Sequence, residues 1–204
     1  MEDQEKELAF LSGALLFAVF LILLILVTQF NAFSSPVIIL SSVVLSLAGV
    51  FLGIVISRND FVIIMTMIGI ISLAGIVVNN AIVLVDYTNL IRKRKREKLN
   101  LDELALSSDE DFRASVIEGG KTRLRPVLLT AITTILGLFP LASGLNINFF
   151  TLISDWDPQI FFGGDNVIFF KPMSLAIIYG LTFATFLTLV VVPIMYYSIY
   201  KFKV

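Results

Sequence analysis

"GIVVNNAIVLVDY" occupies Gly75 to Tyr87, and it sets two amides and a carboxylate, Asn79, Asn80 and Asp86, among Val, Ile, Leu, Ala and Gly. The stretch belongs to a run that stays apolar from Phe61 to Val85. That is long enough for a helix to cross a bilayer core of about 30 Å. Runs of similar length recur along the chain. They predict an all-α membrane protein with spans at 8–28, 36–56, 61–91, 125–143 and 172–200. Composition agrees: the 204 residues are 57 % hydrophobic and 15 % charged, whereas a soluble domain is about half apolar and a quarter charged.

The connections carry their own signals. "TQFNAFSSP" leads to Pro36, suited to a first helical turn, and "SRND" (Ser57–Asp60) reads as a tight turn. At 61–91 the third span is longer than a bilayer needs, so its far end projects into water. "RKRKREK" (Arg92–Lys98) opens a basic linker, 92–124. Within it, "LSSDEDFRASVIEGG" has a Ser-led start, early acids, Phe112 and Val116 four apart, and a Gly pair as a stop. These features predict a short interfacial helix at the membrane surface. The loop 144–171 holds Phe149, Phe150, Trp156, Phe161, Phe162, Phe169 and Phe170, residue types that favour the headgroup layer. Pro193 is expected to kink or stop the last span.

Five spans put the termini on opposite sides. Twelve Lys and Arg fall on the side of the basic linker and the tail, against Lys6, Arg58 and Lys171 on the other. The basic side is therefore expected to be cytoplasmic. A basic strip beside a membrane span is not read as a nucleic-acid patch. The acidic start, MEDQEKE, lacks the basic region and cleavage site of a signal peptide. Without Cys or His, thiolate and imidazole chemistry is excluded, and proton chemistry must use carboxylates. No metal or cofactor is expected. Asp155, Asp157 and Asp165 resemble loose calcium ligands but lack EF-hand spacing. No paired acid–base or metal arrangement supports an enzyme.

A polar side chain in hydrocarbon normally faces other helices or water. Ser72, Asn79 and Asp86 are each seven apart and share a helical face with Gly69, Ile76 and Val83. This stripe is expected to face protein, while Asn80, about 100° round, serves a second neighbour. The fourth span has Arg123, Thr130 and Thr134 on one face, flanked by Thr133. Ser42, Ser46, Gly49 and Gly53 in the second span, and Gly180, Ala184 and Thr188 with Thr182 and Thr185 in the fifth, fit close helix packing. For Asn79 and Asn80 two readings stand, a functional role or interhelical hydrogen bonding. Asp86 sits near an end of its span and could simply be wet. Arg123 and Arg125 could be anchors that snorkel to the headgroups.

Taken together, "GIVVNNAIVLVDYTN", "EGGKTRLRPVLLTAITTILGLFPLA" and "IYGLTFATFLTLVVVPIMYY" resemble the tenth, eleventh and last membrane helices of resistance–nodulation–division (RND) efflux transporters. The variety resembles the hydrophobe/amphiphile, or acriflavin-resistance, pumps such as the AcrB type. The resemblance covers essentially the whole chain. It implies the last five of twelve membrane helices in a bacterial inner-membrane protein, with the N-terminus and the aromatic loop periplasmic. It further implies proton antiport for multidrug export, a homotrimer when complete, and a periplasmic adaptor and outer-membrane channel as partners. The N-terminal half, carrying the pair of intramembrane aspartates, would be the remaining partner. By position, Asn79 stands where well-studied relatives place a lysine. Asn80, Arg123 and Thr130 match relay residues, and Asp86 matches an acidic position near the cytoplasmic end.

The resemblance therefore implies a half-module of a proton-driven pump, inactive alone. The competing readings are a non-transporting membrane scaffold or fragment that assembles with another protein, and a protein-translocation accessory of the same superfamily. An amide satisfies a carboxyl group in either protonation state, whereas a lysine holds it ionised by charge. The aspartates opposite Asn79 in a full-length protein should thus titrate higher than in lysine-bearing pumps. Their titration in an Asn79→Lys variant should move to lower pH, and an unchanged value would contradict this reading.

Overall fold

The computed structural model describes residues 2–30, 33–98, 109–154, 156–157 and 159–203. Five long helices carry the chain: α1 (Glu2–Phe30), α2 (Ser34–Ser57), α3 (Ile63–Lys98), α4 (Asp109–Ser143) and α6 (Asp165–Lys203). Each is long and apolar enough to cross a membrane. Between α4 and α6 lie β1 (Leu145–Asn146), the short helix α5 (Phe149–Ser154) and β2 (Phe161–Phe162). The two strands pair antiparallel, Leu145 opposite Phe162 and Asn146 opposite Phe161.

Several boundaries differ from the sequence expectation. The segment expected as a separate interfacial helix is helical from Asp109, but Gly119–Gly120 do not stop it, and it runs unbroken through Pro126 to Ser143. Its Ser-led start lies outside the described residues. Gly119 serves packing instead, since a Cβ there would come within 2.6 Å of Thr88 Oγ1 on α3. The basic run Arg92–Lys98 is the end of α3, not a linker, because Lys, Arg and Glu are good helix formers even where no apolar face is required. α6 begins at Asp165, inside the expected loop, and passes Pro172 and Pro193 without ending. Neighbouring helices make such prolines tolerable in membrane helices by supporting the freed backbone groups.

α6 is the spine. It packs on α2, α3 and α4, while α1 packs on α2 and α3. Small residues permit this. Gly49 and Gly53 of α2 lie directly under Phe183 and Tyr179 of α6, and Gly180 of α6 lies under Leu73 and Val50. A Cβ on Gly69 would come within 2.8 Å of the Met173 carbonyl oxygen, and Ala184 is fully buried. Ser42 and Ser46, inside this seam, donate to their own helix at Ile39 O and Val43 O, both 2.6 Å. They need no partner across the interface. The apolar core joins Ile38, Ile39 and Val50 of α2 to Leu73, Val77 and Val85 of α3 and to Leu181 and Val192 of α6. α1 and the outer faces of α4 and α6 leave Phe17, Leu136 and Phe186 exposed, as side chains solvated by hydrocarbon would be.

Gly49→Ala should destabilise the bundle by about 1–3 kcal/mol, because the new methyl meets Phe183 at its Cβ, the part of the side chain that cannot swing aside. Gly137→Ala, with open space around it, should be neutral or gain up to about 1 kcal/mol. Unfolding titrations in detergent micelles distinguish the two.

Candidate functional site

α3 sends its polar residues to two sides. Its buried face carries Thr66, Ile70, Leu73, Val77, Ala81, Leu84, Thr88 and Ile91, the small and branched side chains that let neighbours approach. The stripe expected to face protein does not do so within this chain: Gly69 is buried, but Ser72, Asn79 and Asp86 are all exposed. Close packing selects the apolar side of the helix and leaves the polar side uncovered. Ser72 donates back to Ile68 O at 3.0 Å, while among the described residues Asn79 and Asp86 make no hydrogen bond or ion pair.

Asn80 points the other way, toward α4, and is 8 % exposed. Thr130 Oγ1 lies 3.3 Å from Asn80 Oδ1 and 2.9 Å from Val127 O. One hydroxyl proton serves both acceptors. The shorter contact is the backbone one, and 3.3 Å is long for an O–H···O bond. The α3–α4 link is thus a weak hydrogen bond that either partner can relinquish. The Asn80 amide donors remain free for another acceptor among the described residues. Thr133 and Thr134 back-bond to Leu129 O and Thr130 O at 2.8 Å each. Thr182, Thr185 and Thr188 likewise donate to carbonyls of their own helix.

Arg123, two turns below Thr130 toward the basic end of α4, sets its guanidinium 4.3 Å from the centre of the Tyr87 ring. Its Nε is buried without a hydrogen-bond partner. The site therefore brings together Asn80 with Thr130 and Arg123 with Tyr87, next to the uncovered Asn79 and Asp86. It holds one weak polar link and several donors with no acceptor. An anionic or otherwise hydrogen-bond-accepting group seated against this side would find amide, hydroxyl and guanidinium donors. Among the described residues no group of His, Cys, Asp or Glu could hold a metal ion; Asp155, one of the three suggested calcium ligands, lies outside them.

One cluster was not foreseen. At the basic end, Arg92 of α3 donates to Tyr196 Oη at 2.9 Å and lies 4.6 Å over the Phe112 ring. Phe112 stacks on Tyr196 at 5.6 Å, and Tyr196 Oη donates to Asn89 Oδ1. The cluster ties α3, α4 and α6 together below the site. In the sequence these residues look like a charge run, an amphipathic pair and an interfacial aromatic. Their meeting depends on helix packing, which no local pattern encodes.

The family described as AcrB/AcrD/AcrF matches residues 2–146. Swarming motility protein SwrC of Bacillus subtilis (strain 168) is 37 % identical over 190 residues, covering 93 % of this chain and 15 % of SwrC. Nickel and cobalt resistance protein CnrA of Cupriavidus metallidurans is 31 % identical over 174 residues, 84 % of this chain and 13 % of CnrA. A crystal structure of a heavy metal efflux pump superposes with a TM-score of 0.69 at 27 % identity, over 97 % of this chain and 16 % of the pump. The chain thus spans about a seventh of the length of these proteins.

For the long Asn80–Thr130 hydrogen bond, a double-mutant cycle with Asn80→Ala and Thr130→Val should give a coupling of about 0.6 kcal/mol, below the roughly 1.7 kcal/mol maximum for such bonds in membranes. A coupling near zero would remove the link from the site.

Proposed function

The chain belongs to the AcrB/AcrD/AcrF family, and on that premise we propose that its five helices are part of the membrane domain of a proton-driven RND export pump, supplying the amide, hydroxyl and guanidinium side of the proton relay. The observation that carries this reading is the pairing of Asn80 with Thr130 beside an uncovered polar stripe, Ser72, Asn79 and Asp86, on an otherwise apolar helix. In the proposed mechanism, carboxylates from a further set of helices dock where this stripe borders α4, between Asn79 and the Asn80–Thr130 pair about 100° round the helix. While ionised, they accept hydrogen bonds from the Asn80 amide, Asn79 and Arg123. On protonation a carboxyl can donate instead, and an amide can answer either state by offering its oxygen or its nitrogen. Thr130 can then give its proton to Val127 O alone, releasing Asn80 Oδ1, which loosens α3 from α4. Such a weak, exchangeable bond suits a step in which two helix groups shift.

Asn79 in this scheme adjusts hydrogen bonding without fixing charge, and Asp86 marks the wet cytoplasmic end of the path. The protein would sit in a bacterial inner membrane with its N-terminus periplasmic and its C-terminus cytoplasmic. It would function in a homotrimer completed by the aspartate-bearing half, a periplasmic adaptor and an outer-membrane channel. The relatives include a multidrug resistance protein and a nickel and cobalt resistance protein. Helices shared across such cargo fit a role in energy coupling, with cargo chosen elsewhere.

The test is proton-coupled flux in proteoliposomes that hold a complete pump containing this segment. Asn80→Ala and Arg123→Ala should each lower flux at least about tenfold, as expected when a group positioned for proton transfer is lost. Phe186→Ala, on the exposed apolar face of α6, should leave flux unchanged. Full proton-coupled flux in Asn80→Ala would contradict the proposal.

A further inference from the structure

At the end of the bundle opposite the basic stretch, the turn between α2 and α3 and the first turns of α6 enclose an open cavity of about 470 Å³. Asn59, Asp60 and Val62 line it from one side, and Gly163, Gly164, Asp165, Ile168, Lys171 and Leu175 from the other. The turn that shapes it is fixed. Gly163 and Gly164 take φ values of +101° and +110°, open to glycine at little cost, and Asn59 is tied to Tyr179 Oη at 3.1 Å.

Three charges face this space: the carboxylates of Asp60 and Asp165 and the ammonium of Lys171. All three are exposed, and none is ion-paired within 4.0 Å among the described residues. Their shared floor of Val62, Val167, Ile168 and Leu175 is continuous with apolar helix faces. Phe169 and Phe170 stand exposed beside it. The volume suits one small polar group. We propose that the cavity is a headgroup site for an aminophospholipid of the adjoining leaflet, phosphatidylethanolamine being the simplest. Its primary ammonium lies between Asp60 and Asp165, its phosphodiester meets Lys171, and an acyl chain runs over Ile168 and Leu175.

The lining argues against other headgroups. It offers no aromatic ring to cage a quaternary ammonium, so choline lipids should bind less well. Two carboxylates against one ammonium disfavour a net anionic headgroup. A primary ammonium, with three donors, matches two carboxylates.

The experiment uses the full chain in nanodiscs of equal parts phosphatidylethanolamine, phosphatidylcholine and phosphatidylglycerol, with retained lipid read by native mass spectrometry after detergent release. Phosphatidylethanolamine should be retained preferentially. Asp60→Asn and Asp165→Asn should each cut that preference about three- to fivefold, the scale of one exposed ion pair, and Asp60→Glu should restore it. Lys171→Gln should weaken retention of all three lipids. Asp157→Asn, an exposed carboxylate away from the cavity lining, should change nothing. Equal retention of the three lipids, or a preference that survives the Asp60→Asn/Asp165→Asn double variant, would overturn the proposal. So would displacement of the lipid by an equimolar amount of soluble glycerophosphoethanolamine, since the cavity would then read a free aminophosphate.

Discussion

A polar side chain held at membrane depth needs a partner, and the rest of this structure is arranged around which ones have found theirs. The serines of α2 and the threonines of α6 satisfy themselves on their own helix backbones. That frees those surfaces to pack closely. Asn80 finds Thr130. Asn79 and Asp86 find nothing within the described residues. The same helix is therefore finished on one side and open on the other, and the open side is where further protein can be bound by directional contacts instead of by apolar area alone.

Close packing makes this asymmetry possible. In lipid there is little hydrophobic drive between helices, so van der Waals contact and small residues hold them together. Gly49 and Gly53 let α6 settle on α2, and Gly180 lets α3 and α2 approach α6. With α6 as spine, α3 is fixed in rotation, so Asn80 faces α4 and Asn79 faces out. At the basic end the Arg92, Phe112 and Tyr196 stack fixes α3 against α6 again and adds α4. The link at Asn80 lies between these firm contacts and is itself weak, so it can change without unpacking the bundle.

How much of this was legible in the sequence follows from the kind of information each feature needs. The five spans were readable because hydrocarbon demands long apolar runs, a local property. Helix ends were less so: α3 continues through Arg92–Lys98 and α4 begins at Asp109. Once a helix leaves the bilayer, no apolar periodicity is required of it, and Gly119 is explained by its contact with Thr88, not by a turn. For the site, the sevenfold spacing of Ser72, Asn79 and Asp86 correctly put them on one face, but it could not say whether this chain or another covers that face. The Asn80–Thr130 pairing, fifty residues apart, needed the packing of α3 on α4, and so did the Arg92 cluster.

The central claim is that the Asn79 face of α3 is a seam for protein and not a surface for lipid. These 204 residues hold no cysteine, so a single cysteine introduced among them meets no competing thiol within the segment. Nitroxides placed at Asn79→Cys and at Phe186→Cys can be compared by the accessibility of each to molecular oxygen, which concentrates in the bilayer interior, in a complete pump. The account predicts that oxygen reaches Phe186→Cys freely and that Asn79→Cys is protected. Equal oxygen accessibility at the two positions would contradict it.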